Sequence, residues 1–343
     1  MGEKPPKILL IYTGGTIGMI KDPESGSLKS FNFGQLLKKI PEIKLLSCEV
    51  VTKSLVKPID SSNMNLNYWM EIATMIEEDY ETTDGFVILH GSDTMSYTAS
   101  ALSFMLENLS KPVIITGSQL PIGDLRTDAK ENLITAIQIA SLQYYGKSVI
   151  KEVGLYFEHK LYRGNRTTKV SAEQFEAFDS PNYPPLAESG VNLNVLKENL
   201  FSTKRRKDLI VHKEFDASIA LVKLFPGITE AYMECIFNSE KLKGIIIETY
   251  GAGNMPTEKW MLNLLAKTVK RGIPIINITQ CSAGMVKMGQ YETSENLRRI
   301  GLISGHDITT EAAVTKLMYM LGEKISPQSF KTIFETSLRG EMS

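Results

Sequence analysis

Four short polar stretches hold the residue types that could do chemistry. The first, Tyr12-Thr13-Gly14-Gly15-Thr16-Ile17-Gly18, follows the apolar run KILLIY directly. Paired glycines let a backbone turn tightly and let a ligand approach it closely. At the carboxyl end of a strand in an open parallel sheet, where ligands bind, Thr16 would be a weak nucleophile in need of a base. A glycine turn that caps a following helix explains the same residues, so the loop alone leaves both readings open. A phosphate or dinucleotide loop is not supported. G-x-G-x-x-G is absent, and Gly146-Lys147-Ser148 has Ser141 where the first glycine of a P-loop belongs.

The second stretch, His90-Gly91-Ser92-Asp93-Thr94-Met95, closes the run GFVILH and sets a hydroxyl beside a carboxylate. Asp93 suits a ligand ammonium group. Taken singly, Asp93 or Thr94 is better explained as the N-cap of the next helix, and His90 as a packed, hydrogen-bonded histidine. The third, Leu161–Lys169, brings Arg163, Arg166 and Lys169 after a strand. A lysine drawn into a closed polar site has a lowered pKa and can assist proton transfer, but spacing alone favours a surface loop. The fourth, Asp60-Ser61-Ser62-Asn63-Met64, precedes a helix and has the composition of a cap. No G-x-S-x-G elbow is present. The four histidines form no H-E-x-x-H and none stands near a cysteine at ligand spacing, so neither a metal nor a cofactor is expected.

Strand tips must position these stretches. Lys7–Tyr12, Gly85–His90, Pro112–Thr116 and Glu152–Phe157 have the pattern of buried strands, and Asn67–Glu78, Ser96–Asn108 and Ala129–Leu142 that of helices. Apolar runs without alternation, separated by helices, predict a parallel sheet covered on both faces. From about Phe178 to Phe215 the chain turns rich in Pro, Asn, Lys and Glu, as linkers do. Alternation resumes with strands at Ser218–Lys223, Gly244–Thr249 and Pro274–Thr279. Helices follow at Glu258–Arg271 and Thr310–Leu321, the last capped by Thr309 or Thr310. The expected organisation is an α/β catalytic domain at 1–195, a linker at 196–215 and a smaller α/β domain at 216–343. That suits 343 residues at about 100–200 per domain.

Lys and Arg number 38 against 39 Asp and Glu, which gives no electrostatic reason to expect nucleic acid or a membrane surface as partner. The run Lys204–Lys207 (KRRK) is too short and isolated for a binding face and is expected to be a solvated loop. Cys48, Cys235 and Cys281 are odd in number and far apart, as free thiols in a reducing compartment would be. MGEKPPKILLIY has no signal-peptide pattern, and Pro6 stands where myristoylation after Gly2 wants Ser or Thr. No apolar run approaches the roughly 18 residues of a membrane helix. The expected location is the cytoplasm.

Taken together, YTGGTIGM (12–19), DGFVILHGSDTM (84–95), TASALSFMLENLSKPVIITGSQLP (98–121), LYRGNRTTK (161–169), SPNYPPL (180–186), YGAGN (250–254) and NITQCSAG (277–284) resemble the bacterial-type L-asparaginase family, in particular its cytoplasmic (type I) branch. The resemblance runs end to end. It implies a larger N-terminal flavodoxin-like α/β domain and a smaller C-terminal α/β domain. It also implies L-asparagine as substrate, and a homodimer or homotetramer whose sites lie between the N-domain of one subunit and the C-domain of another. Thr16 matches the family's nucleophilic threonine, Ser92 its second threonine, Asp93 its aspartate and Lys169 its lysine. Members differ in which hydroxyl is assigned the attack, so Ser92 remains a second candidate. Asp60, Ser61, Ser62 and Ser118 form the implied substrate-binding set, with Asn254 reaching a neighbouring subunit's site.

Three departures matter. Ser92 lacks the β-methyl that stiffens a threonine, so activity is expected to survive with looser positioning. Met19–Phe31 has no tyrosine, although periplasmic members use a loop tyrosine to activate the nucleophile. Glu248 stands in the strand where some cytoplasmic members carry an arginine for a regulatory asparagine; a carboxylate cannot pair with the effector's carboxylate, so allosteric activation is expected to be weak or absent. The nearest rival is a glutaminase-asparaginase, because one methylene is worth only about 1–3 kcal/mol. An enzyme deamidating glutamine for tRNA-bound glutamate is less favoured, since its relatives carry an additional N-terminal domain. From another class comes a catalytically dead amino-acid-binding module on the same fold, against which Thr16, Asp93 and Lys169 all stand.

Overall fold

Ile8–Tyr12, Phe86–Leu89 and Val113–Ile115 carry apolar side chains on both faces of their strands, and all are 0–2% exposed. Strands of that kind need cover on both sides, and the computed structural model supplies it with helices. The structure describes residues 4–21, 28–30, 40–201, 207–289 and 292–343. The chain divides into two compact units, 1–213 and 214–343. The stretch 196–215, expected as a linker, holds residues of both. In the first unit, Leu196 N–H donates to Leu186 O and His212 N–H to Met105 O.

The first unit is built on β1 (Lys7–Gly14), β2 (Glu49–Ile59), α1 (Leu66–Asp79), β3 (Gly85–Leu89), α2 (Met95–Met105), β4 (Val113–Thr116), α3 (Ala129–Ser141), β5 (Val153–Phe157), β6 (Lys160–Arg163), β7 (Ala187–Ser189) and β8 (Leu193–Val195). These eight strands form one sheet in the order β8-β7-β6-β5-β4-β3-β1-β2. Its five first-built strands are parallel and ordered β2-β1-β3-β4-β5, the flavodoxin-like order. Leu133, Ala136, Ile137 and Ala140 of α3 join the core cluster of Ile8, Leu10, Val87, Leu89 and Ile114. Each fully buried Leu, Ile or Val side chain contributes about 1.5–3 kcal/mol. Helices α1 and α2 bury Ile72, Ile76, Ala99 and Leu102 completely.

The sheet departs from the expected parallel one at an edge, where β6, β7 and β8 pair antiparallel. The turn at Glu158 and His159, both at positive φ, reverses the chain after β5 instead of sending it through a crossover helix. Strand β2 was not foreseen. It is an edge strand with Lys53, Lys57 and Pro58, and its mostly exposed face shows no apolar run. Helix α2 stops at Met105, short of Asn108. Leu106 and Glu107 pair with Ile210 and Val211, and Asn108 adopts φ 64.

The second unit contains a parallel sheet β9 (Ile219–Lys223), β10 (Gly244–Thr249), β11 (Ile275–Thr279) and β12 (Ile303–Ser304), in that order. Its helices are α4 (Glu230–Phe237), α5 (Lys259–Lys270), α6 (Glu292–Ile300), α7 (Thr310–Gly322) and α8 (Pro327–Phe334). Thr309 caps α7 by accepting from Ala312 N–H. Among the described residues, no helix is long and apolar enough to cross a membrane. Of KRRK only Lys207 is described, and it is exposed.

Candidate active site

The parallel strand order reverses between β1 and β3, and a crevice for ligands forms at such a switch point, outside the carboxyl ends of the strands. Thr16 follows β1, and Ser92-Asp93 follows β3. A hydrogen bond ties the two tips together: Thr13 Oγ1 donates to Leu89 O at 2.9 Å.

Close backbone approach joins three loops. Gly15 has φ 88, and a β-carbon on it would lie 2.5 Å from both Cα and N of Gly91. A β-carbon on Gly91 would in turn lie 2.5 Å from Ser61 Oγ. Thr94 Oγ1 donates to Ser61 O at 2.7 Å. Thr94 therefore ties the 60–63 turn to the 91–94 turn; it occupies the N-cap position of α2, as expected of Asp93 or Thr94, but makes no side-chain cap hydrogen bond there. Asp60 does cap its turn. Its Oδ1 accepts from Ser62 N–H at 2.8 Å, which holds the carboxyl below its ordinary pKa.

His90 is the packed histidine the sequence suggested, and its tautomer follows from its partners. Gly91 O can only accept, so Nδ1 carries the proton and donates to it at 2.7 Å. Nε2 of the neutral ring then accepts from the Thr98 hydroxyl at 2.8 Å, and Thr98 Oγ1 in turn accepts from Trp69 Nε1–H at 2.9 Å. Complete burial lowers the His90 pKa to about 4, against the opposing pull of the Gly91 carbonyl.

Lys169 is the centre of the polar cluster. It lies in a two-stranded ladder in which Thr168 and Lys169 pair with Asp179 and Phe178. Its Nζ donates to Ser92 Oγ and to Asp93 Oδ1, both at 2.8 Å. With its lone pair taken by Lys169, the Ser92 hydroxyl donates to Gln119 Oε1 at 3.2 Å. Gln119 is held in turn: its Nε2 donates to Gln174 O at 2.9 Å, and its N–H to Asp128 Oδ2 at 2.8 Å. Thr16, half-buried, makes no side-chain hydrogen bond to a described residue.

The structure thus brings Ser92, Asp93 and Lys169 together, with the Thr16 loop and Ser61 against Gly91. Ser62 is exposed, and the buried Ser118 spends its hydroxyl on Leu120 O at 2.6 Å. Asn254 lies in the second unit, where it pairs with Tyr250 across a tight turn. The expected surface loop at 161–169 is corrected. Arg163 and Arg166 are 5% and 2% exposed, and Glu152 accepts from Arg163 Nε at 2.6 Å. A water-poor cavity is not formed by this chain's described residues, since the Asp93 side chain is 67% exposed. Gln119 was missed, although it directly follows Ser118 at a strand tip. The tyrosine-free loop falls partly outside the described residues, at 22–27 and 31.

Comparisons agree over both units. A family model described as asparaginase, N-terminal, matches residues 7–201, and one described as glutaminase/asparaginase C-terminal domain matches 218–334. L-asparaginase 1 of Escherichia coli K12 is 42% identical over 337 residues, 98% of each chain. The crystal structure of L-asparaginase I from Vibrio cholerae is similar at 39% identity and a TM-score of 0.89, covering 98% of this chain and 99% of that one. The thermostable L-asparaginase from Thermococcus kodakarensis is similar at 31% identity and a TM-score of 0.88, with the same coverage.

Proposed function

The chain belongs to the asparaginase family, and from that premise we infer that it is an L-asparaginase, hydrolysing the side-chain amide of L-asparagine to L-aspartate and ammonia. The observation that carries the reading is Lys169 Nζ, 2.8 Å from both Ser92 Oγ and Asp93 Oδ1, at a strand tip whose backbone abuts the Thr16 loop.

In this reading Thr16 Oγ1 attacks the amide carbon, ammonia leaves, and water cleaves the β-aspartyl enzyme. Thr16 is preferred over Ser92 because the Ser92 proton is engaged with Gln119, while the Thr16 hydroxyl is not bonded to a described residue. Lys169, Ser92 and Asp93 form the proton relay, a role worth about a hundred- to ten-thousandfold in rate. Asp93, open on one side, also receives the substrate's α-ammonium in a charge-assisted hydrogen bond. Asp60, Ser61, Ser62 and Ser118 belong to the substrate pocket. Backbone N–H groups at the Gly91–Ser92 turn stabilise the oxyanion, typically by about 3 kcal/mol per donor.

The protein works as a homo-oligomer in the cytoplasm, with Asn254 of a neighbouring subunit closing the site. This assignment follows the type I resemblance; the free state of Cys48, Cys235 and Cys281 is consistent with it. The test is ammonia release from asparagine by the wild type and by Thr16→Ala. Release by the wild type with near-complete loss in the variant supports the reading. Binding of asparagine without release by either would assign a catalytically dead binding module, and preference for glutamine a glutaminase.

A further inference from the structure

At the amino ends of the first unit's strands, opposite the candidate active site, a cavity of about 310 Å3 opens beside the residues that lead into β3, β4 and β5. Lys111, Lys147, Lys151 and Lys207 line it against one carboxylate, Asp84, among the described residues. Asp84 is already engaged, since its Oδ2 accepts from Lys7 N–H at 2.8 Å. Lys147, Lys151 and Lys207 form no ion pair with a described residue.

Local structure places two of these lysines, Lys147 and Lys111. Lys147 follows a two-residue hairpin in which Gln143 and Tyr144 pair with Ser148 and Lys147. The turn residues Tyr145 and Gly146 have φ 50 and 66, the double positive that a type I′ turn requires. Lys111 Nζ donates to the Tyr80 carbonyl and lies 4.7 Å above that ring. Burial draws the Lys111 pKa below the ordinary lysine value against the pull of Glu81 and Asp84.

Like charges gathered around a concave surface focus a positive potential and concentrate anions. The volume is at the lower end of ligand cavities, which start at roughly 300 Å3. No aromatic side chain lines it among the described residues, so a nucleobase would find no stacking surface. We propose that this cavity binds a compact, multiply charged oxyanion, an inorganic di- or triphosphate in preference to a nucleotide.

Titration calorimetry at low ionic strength, where screening is least, would compare tripolyphosphate, ATP and monophosphate. Three proteins are needed: the wild type, Lys147→Gln/Lys151→Gln, and Lys267→Gln/Lys270→Gln. The last removes the same charge from exposed positions on α5. Saturable tripolyphosphate binding by the wild type and the α5 variant is expected, weakened about tenfold or more in Lys147→Gln/Lys151→Gln. ATP should bind no more tightly than tripolyphosphate. Ammonia release from asparagine should be equal in all three, which separates this site from the proposed reaction. Absence of saturable binding, equal affinity in all three, or equal weakening in both variants would overturn the proposal; tighter ATP binding would overturn the choice of an inorganic anion.

Discussion

A β-carbon on Gly15 would have to occupy space 2.5 Å from the Cα of Gly91. No side chain can yield there, because the obstacle is backbone, and φ 88 at Gly15 is a conformation that side-chain-bearing residues resist. Gly15→Ala must therefore push the Thr16 loop away from the Ser92 loop. A displacement near 1 Å costs about a hundredfold in rate. Asparagine hydrolysis by Gly15→Ala is expected to fall by at least that much while the circular dichroism spectrum stays native. Activity near wild type would mean that the contact between the loops does not position the reacting groups.

Lys169 separates chemistry from stability. Its side chain is 18% exposed but its partner Asp93 is 67% exposed, and an ion pair screened by water at its carboxylate contributes only about 0–1 kcal/mol. Lys169→Met should leave the melting temperature almost unchanged and lower kcat by about a hundred- to ten-thousandfold. A large loss of melting temperature together with modest kinetic loss would make Lys169 a structural residue.

The parallel core was legible because its strands are buried on both faces: KILLIY, GFVILH and PVIIT have no polar alternation to confuse them with surface strands. Edge elements were not, since Glu49–Ile59 pairs on one side only and can carry Lys53 and Pro58 in view of solvent. At the site, Ser92, Asp93 and Lys169 each had a plausible structural explanation, and only the order of motifs along the chain outweighed it. Arg163 and Arg166 misled for a different reason. Their charges are masked by Glu152 and by the ring of Tyr183, which lies 4.3 Å and 5.2 Å from the two guanidinium groups, and a local sequence window contains neither partner. Gln119 acts through distant carbonyls at 172 and 174, contacts that no spacing rule reveals.

Glu248 sits at the end of β10 with 9% exposure, and its carboxylate is engaged inside the second unit. Thr310 Oγ1 donates to Oε1 at 2.6 Å, and Lys223 Nζ lies 3.8 Å from Oε2. An effector carboxylate arriving there would meet a like charge. The rate is expected to rise hyperbolically with asparagine concentration. A sigmoidal curve would place a regulatory site elsewhere or show that Glu248 moves aside.

Buried His90 makes the fold sensitive to acid. Folded, it takes up a proton only near pH 4 because burial disfavours the charge; unfolded, it does so near 6.5. Between those values the unfolded chain binds more protons, so acidification favours unfolding. The stability that neutral His90 supplies is complete above about pH 6.5 and is lost as the pH falls toward 4, roughly 3 kcal/mol in all. Protonation would place a donor on Nε2 facing the Thr98 hydroxyl, so that hydroxyl must turn its own proton away from the ring, while Nδ1–H keeps its bond to Gly91 O. Urea midpoints measured from neutral pH down to about pH 4.5 should decline more steeply for the wild type than for His90→Gln, which has no such proton to take up. Parallel decline would mean that His90 reaches solvent or keeps its charge in the folded protein.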